Sequence, residues 1–373
     1  MTEICTEART GIDTLTEKNG CLALFRLPFT SDPVCMIQST GSPAFLSDPR
    51  RLNGRTGFVF APFAPSRSHP LILMQPDIRL TGQAAIERLD EVPELQRLQL
   101  SDTPREEAET SATAYPFERY ASVFPSFLRP LQQRAFGKLV LSRTLTREKP
   151  GGFSAASAFF KACRQYPSAF VYLFHSPHTG TWLGSSPEIL LSADNRQAHT
   201  VALAGTRQLP SAPGDTVQWD KKNRHEQQVV AEYIRTRLLS YGLTWREEGP
   251  RTTQAGQVCH LLTDFYFDLE DTGKLGDLLA LLHPTPAVCG VPKEAAFRHI
   301  LENEGYDRGY YSGFTGWLAP GGRTDLFVNL RCMRIGRQRL TLYAGGGIMP
   351  DSDVRTEWNE TENKLRTMLT LLE

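Results

Sequence analysis

The feature that most constrains this chain is a series of short strand-like runs, many of them alternating in polarity, at 139–142, 170–174, 182–191, 200–203, 258–269, 326–335 and 339–344. Alternation places successive side chains on opposite faces, the signature of half-buried strands. Turns as well as helices separate the runs, which predicts an α+β fold with large antiparallel sheets, a β-sandwich-like core flanked by helices, rather than a doubly wound parallel sheet. Residues 1–115 read as a β-rich N-terminal part of the same fold unit. Apolar runs at 21–27, 57–63 and 71–73 stand between Pro/Ser/Arg-rich turns. The polar, acidic stretch 101–115 reads as an exposed connector, and residues 116–373 carry the main body. Pro130 is expected to open a helix running to Phe136.

Charge narrows the partners. Among 373 residues, Lys plus Arg and Asp plus Glu are equal at 41 each. No global field attracts nucleic acid or an anionic membrane, so a small molecule is the expected partner. The seven cysteines occur singly, without C-x-x-C, and read as reduced thiols. The first twenty residues lack a basic start followed by an apolar run, and no apolar stretch reaches the ~18 residues of a membrane span. A cytoplasmic protein is expected.

Two helices point to a site. In the last, after Asp351-Ser352-Asp353, Val354, Trp358, Leu365, Met368, Leu369 and Leu372 fall within an arc of roughly 100° at the helical step. Glu357, Glu360 and Lys364 cluster beside that face, within about 60° of one another. In the helix expected from Asp220 to about Ser240, Glu226 lies inside the apolar stripe of Val229, Val230, Tyr233 and Ile234. A carboxylate there needs a cation or strong donors. A buried arginine would serve, and so would a hard divalent ion held by carboxylates from both helices. Gly345-Gly346-Gly347 reads as a turn before the last helix, either an ordinary tight turn or one whose N–H groups approach an anion.

Eight motifs then carry a resemblance: GKLVLSR (137–143), GSSPEILL (184–191), ALAGTR (202–207), NRHEQQVV (223–230), LHPTPAVCGVPKEAA (282–296), ENEGYDRGYYSGFTGW (302–317), VNLRCMRI (328–335) and YAGGGIMPDSDVRTEWNETENK (343–364). In order and spacing they resemble the chorismate-utilising enzymes of menaquinone, siderophore and tryptophan synthesis, densely from Phe117 to Glu373. The resemblance implies a chorismate-binding fold like that of the anthranilate synthase large subunit, with Mg²⁺ as cofactor and chorismate as substrate. By position Glu226 and Glu360 resemble direct metal ligands, and Glu357 one acting through water. Lys364, Arg331, Tyr343 and the Gly345–347 backbone resemble the substrate-carboxylate end. Ala204, Gly205, Thr206 and His283 resemble ring-side residues.

The resemblance also implies which nucleophile is used. Water-using members carry lysine where Lys138 stands, and ammonia-using members generally carry glutamine. A lysine base must be kept partly neutral, by desolvation or a nearby cation. Glu188 resembles the general acid, a role that needs a raised carboxyl pKa. Ala204 stands where aminodeoxychorismate synthases place a lysine nucleophile, which disfavours that branch. The implied activity is isochorismate synthase, an isomerase, with menaquinone synthesis as the expected pathway and siderophore synthesis the alternative. Salicylate synthase is the rival enzyme; an anthranilate synthase large subunit and a silent relative are the remaining readings. A monomer without a glutaminase subunit is implied. One departure is Asn223, where many relatives carry an acid in the metal shell.

Overall fold

The computed structural model describes residues 4–17, 20–96, 115–209, 217–255 and 258–373. Two nine-stranded antiparallel sheets face one another. The first runs, edge to edge, through Gly290–Val291, Lys138–Glu148, Arg339–Ile348, Cys332–Ile335, Gly180–Ser186, Phe170–Ser176, Leu22–Arg26, Val34–Ile37 and Ile78–Thr81. The second runs through Trp245–Ala255, Val258–Asp268, Gln197–Gln208, Ile189–Asp194, Arg323–Val328, Phe314–Leu318, Gly57–Ala61, Leu71–Met74 and Ala44–Leu46. The fold is α+β. Strands from the first hundred residues complete one end of both sheets, and most of the predicted 101–115 connector lies outside the described residues.

Alternation explains the layers. In Gly57–Ala61, Phe58 and Phe60 belong to the aromatic layer with Phe170, Phe174, Trp182, Tyr310 and Phe327, while Val59 and Ala61 belong to the core that includes Val230, Ile234, Leu278 and Leu279. Phe60 lies 4.4 Å from Phe174 and 4.6 Å from Tyr310, ring centre to ring centre. Truncating so enclosed a ring costs about 3–5 kcal/mol. The outer face of the first sheet packs with residues of the helices Ile4–Glu17, Ala155–Gln165 and Val354–Leu369. No described helix is long and apolar enough to cross a membrane. Cys21, Cys35, Cys163, Cys259, Cys289 and Cys332 are free thiols.

Several expectations are corrected. Residues 182–191 and 326–335 are not single strands: each splits and its halves join different sheets, the chain crossing at Pro187-Glu188 and at Asn329-Leu330-Arg331. Each crossing is a short polar interruption, Ser185-Ser186-Pro187-Glu188 and Asn329-Leu330-Arg331, between apolar runs that were read as one strand. Pro130 ends rather than opens its helix, which runs Phe117–Gln132 and buries Tyr120, Phe124, Phe127 and Leu131. Gly345–Gly347 is not a turn. These glycines sit in the strand Arg339–Ile348, paired with Ser142, Leu141 and Val140.

Candidate active site

A small cleft of about 50 Å³ is lined by Lys138, Glu188, Ala204, Gly205, Thr206, Glu226, His260, Ala287, Tyr311, Arg331, Gly345, Gly347 and Lys364, among others. Three local features build it. Lys138 opens a strand of the first sheet, and the Lys221–Ser240 helix, capped by the Asp220 carboxylate on the Asn223 N–H at 2.8 Å, carries Glu226. Lys138 Nζ and Glu226 Oε1 lie 2.8 Å apart, with the lysine fully buried. Gly347 makes room for this pair, because a Cβ there would overlap Glu226 Oε1 and come to 2.7 Å from Lys138 Cε. The glycines thus contribute missing side chains to a strand, paired on one side with Val140–Ser142.

Glu188 and Arg331 stand at the two crossings between sheets. The crossings are tied to their neighbours, with Val328 N–H donating to Glu188 O at 3.0 Å and Ser185 N–H to Arg331 O at 3.0 Å. Arg331 has φ of 45°, left-handed backbone that a non-glycine residue adopts at a cost. Burial pushes the Glu188 carboxyl up to about 7, against the lowering influence of Lys138 and a 3.4 Å hydrogen bond from Thr285. A buried carboxyl that holds its proton near neutrality is equipped to give it away.

The last helix, Val354–Leu369, starts at the Asp353 cap and supplies the remaining carboxylates. Glu360 Oε1 accepts from Lys364 Nζ at 2.6 Å, and that ammonium also donates to Gly345 O at 2.9 Å. Glu357 is fully buried, bonded to Ser352 Oγ at 2.6 Å and paired with Lys222. Burial first, and then the Glu360 charge, raises the Glu357 carboxyl to about 7 despite Lys222. For Glu360 burial works upward, but Lys364 and its hydrogen bond hold the carboxyl below its usual range.

Magnesium was expected on Glu226, Glu357 and Glu360. Among the described residues no group of three or more His, Cys, Asp or Glu side chains forms a ready-made metal site. Each of the three carboxylates is instead paired with its own lysine: Lys138, Lys222 and Lys364 respectively. Their chemistry nevertheless suits a hard cation. Glu357 Oε2 is buried without a hydrogen-bond partner, and a Cβ on Gly346 would lie 3.4 Å from it and 3.5 Å from Glu360 Oε1. An orphaned carboxylate oxygen beside a second carboxylate is a place that a cation would satisfy.

Of the expected residues, Glu357, Glu360 and Gly346 do not line the cleft themselves, and two others lie elsewhere. His283 does not line the cleft; its Nε2 meets Ser312 O at 2.9 Å and its ring packs edge-on against Phe314. Tyr343 also stays out of the cleft, stacked at 5.4 Å on Tyr311, and it is Tyr311 that lines the cleft.

The histidine of the cleft is His260, which the sequence reading missed. Its Nδ1–H donates to Gly205 O at 2.9 Å, leaving Nε2 to accept from Arg331 Nη2 at 2.8 Å. Burial and the Arg331 charge hold its pKa well below the usual value, so the ring is neutral and able to accept. A polar residue within the apolar run 258–269 was the one available signal. Asn223, the departure noted above, also has a definite place. Its Oδ1 accepts from Thr206 N–H at 2.9 Å, and its Nδ2 donates to the Asp220 carboxylate at 3.0 and 3.1 Å. An aspartate could not make the second contact.

A profile of the family described as "Chorismate binding enzyme" matches residues 72–373. The chain is 34% identical over 284 residues to the "Salicylate biosynthesis isochorismate synthase" of Pseudomonas aeruginosa, covering 71% of this chain and 57% of that protein. It is 32% identical over 241 residues to "Isochorismate synthase EntC" of Escherichia coli, covering 62% of this chain and 61% of the other. The chain therefore matches less than two thirds of the length of either relative. Among solved structures, a putative 2,3-dihydroxybenzoate-specific isochorismate synthase, DhbC, from Bacillus anthracis superposes with a TM-score of 0.77 at 23% identity, over 99% of both chains. Anthranilate synthase component I from Streptococcus pneumoniae gives 0.64 at 20% identity, over 94% of this chain and 90% of that one. At such identities the likeness establishes the shared fold.

Proposed function

Since the chain belongs to the chorismate-binding enzyme family, we propose that it is an isochorismate synthase, isomerising chorismate by adding water at C2 and expelling the C4 hydroxyl. The observation that carries this reading is a fully buried lysine, Lys138, lining one small cleft together with Glu188, whose carboxyl is raised to about 7. Lys138 as a neutral amine takes a proton from water as its oxygen bonds to C2. The ring double bonds shift and the C4–O bond breaks. Glu188 gives its proton to the departing hydroxyl, which leaves as water, so one water enters and one departs.

Lys138 has Glu226 as counter-ion in the structure, and base work requires the amine to lose its proton and that partnership. Glu226, Glu357 and Glu360 are the residues that would hold Mg²⁺, which supplies positive charge for a substrate carboxylate. Arg331, positioned by neutral His260, offers a guanidinium to a carboxylate, and Lys364 an ammonium. Ala204 and Gly205 keep the ring side open, and Thr206 offers a hydroxyl beside it. The test is product identification. Purified protein with chorismate and Mg²⁺ should yield isochorismate by chromatography and NMR. Accumulation of salicylate, ammonium-dependent anthranilate, or no turnover with any divalent ion would each defeat the reading. Menaquinone synthesis is the proposed destination, and a deletion strain that keeps its menaquinone but loses a catechol or salicylate siderophore would reassign it.

A further inference from the structure

Lys138 opens a strand whose two edges are supported differently. On one edge, residues Leu139 to Glu148 pair with Arg339–Ile348. On the other, the partner strand Gly290–Val291 reaches only Leu139 and Lys138, and Cys289 O accepts from the Val140 N–H at 2.8 Å. Among the described residues no further strand continues that edge. Yet it is buried, with Val140 3% and Ser142 0% exposed, and buried backbone groups must be paired.

Two charged side chains take the place of the missing strand. Arg308 Nη2 donates to Val140 O at 2.9 Å, and the Ser142 N–H donates to Glu304 Oε1 at 2.7 Å. Residues two apart on a strand turn their N–H and C=O groups to the same edge, so one ion pair serves consecutive rungs. The pair is closed on itself, with Arg308 Nε 2.6 Å from Glu304 Oε2, Nη2 2.7 Å from Oε1, and side chains 2% and 1% exposed. Burying two charges is a poor route to stability alone, since apolar residues of like volume do as well or better. What these charges supply is direction. Arg308 Nη1 also donates to Val288 O at 2.7 Å. Val140 and Val288 both line the catalytic cleft, the first on the strand of Lys138, the second beside Ala287 and close to Thr285, which hydrogen-bonds Glu188. One planar guanidinium thus ties the wall that carries the base to the wall that touches the acid. Neither Glu304 nor Arg308 lines the cleft itself. Nor does either line the molecule's larger cavity, about 620 Å³, which Lys149, Trp182, Arg337 and Tyr343 help to enclose and which shares no residue with the cleft.

We propose that the Glu304–Arg308 ion pair is a positioning unit for Lys138, standing in for a strand and fixing the base-bearing edge against residues 285–288. The proposal rests on the reading of Lys138 as the base, and the pair acts on the reaction through that lysine. Steady-state kinetics with chorismate, run well below each variant's melting temperature, test it. Arg308→Lys keeps the charge but replaces the fork with one ammonium, which cannot serve Glu304, Val140 O and Val288 O together. Glu304→Gln keeps an acceptor for the Ser142 N–H without the charge, and decides the matter where Arg308→Lys does not fold. In each, kcat should fall by about tenfold or more, the scale of a small misplacement of a reacting group. KM should stay within about twofold, because Arg331 and Lys364 meet the substrate from other segments. In a Lys138→Ala background the same substitutions should change the residual turnover by less than about twofold, since their effect runs through the absent lysine. A normal kcat in the folded variants, a rise in KM as large as the fall in kcat, or an equal loss with and without Lys138 would overturn the proposal. Failure of both variants to fold would make the pair a requirement of the fold alone and count equally against it. Near-normal turnover in Lys138→Ala by itself would remove the underlying reading of the base, and the positioning role with it.

Discussion

The two cavities described above differ more than twelvefold in volume, about 620 against about 50 Å³, and the smaller one is the proposed seat of the chemistry. The larger is walled by aromatic rings and by charges at its solvent-reaching edge, where water screens them. The smaller is nearly filled by its own residues: Lys138 against Glu226, Lys364 against Glu360, Arg331 against His260. Space measures what fits. Buried, mutually constrained groups measure what can react, and Glu188, its carboxyl pushed up to about 7 by burial, is the cleft's example.

The sharpest way to break this contrast is Lys138→Ala. Turnover of chorismate should fall by on the order of 10³-fold, within the usual range for a general base. The melting temperature should fall too, because Glu226 loses its buried partner. Adding Glu226→Gln should recover the melting temperature without recovering the rate. Near-normal turnover in Lys138→Ala would show that the small cleft is not where the reaction occurs.

Glu188→Gln should lower kcat by about 10²-fold or more, and it carries a pH signature. The wild-type rate should decline as pH rises through about 7, where Glu188 loses its proton. Stability follows the same sign. A folded-state pKa raised above the unfolded value favours the fold at low pH, and that contribution disappears between about 4.5 and about 7 as pH rises. Urea melts at pH 5 and pH 8 should differ less in Glu188→Gln than in wild type.

At the metal end, Mg²⁺ affinity measured by calorimetry should weaken as pH falls below about 7, because Glu357 must give up a proton to bind a cation. An affinity flat from pH 5 to 8 would remove Glu357 from the metal's surroundings. A smaller effect is expected for Asn223→Asp. Its loss of the bonds to Asp220, and the like charge placed beside that carboxylate, should destabilise the fold by about 1–3 kcal/mol, read from denaturant melts. The smallest belongs to the larger cavity. Lys149→Ala/Arg337→Ala should leave kcat within about twofold of wild type, since surface substitutions away from the site rarely matter more. A large loss there would collapse the distinction between the cavities.

The sequence was most legible where local rules act alone. Asp220 and Asp353 cap the two informative helices, and the displacement of Glu226 from the polar face located a carboxylate that needs a partner. It was least legible where two distant segments decide. His260 sits inside a strand-like run and His283 just before Pro284, yet only the fold sends one to Arg331 and the other to Ser312. The glycines 345–347 suit a turn and a strand equally, and the choice was made by pairing with 140–142. The helix Ile4–Glu17 lay in a segment read as β-rich.

The placement of Glu188 and Arg331 at the crossings has a mechanical corollary. Lys138 rides on one layer of the sandwich, whereas the carboxyl and guanidinium sit on the hinges that join the layers. Sliding one layer over the other would change the gap between proton acceptor and proton donor before it disturbed either sheet's own ladder. In the proposed mechanism catalytic competence is therefore a gauge of interlayer alignment, and Phe60 and Phe170 belong to the aromatic layer that sets it.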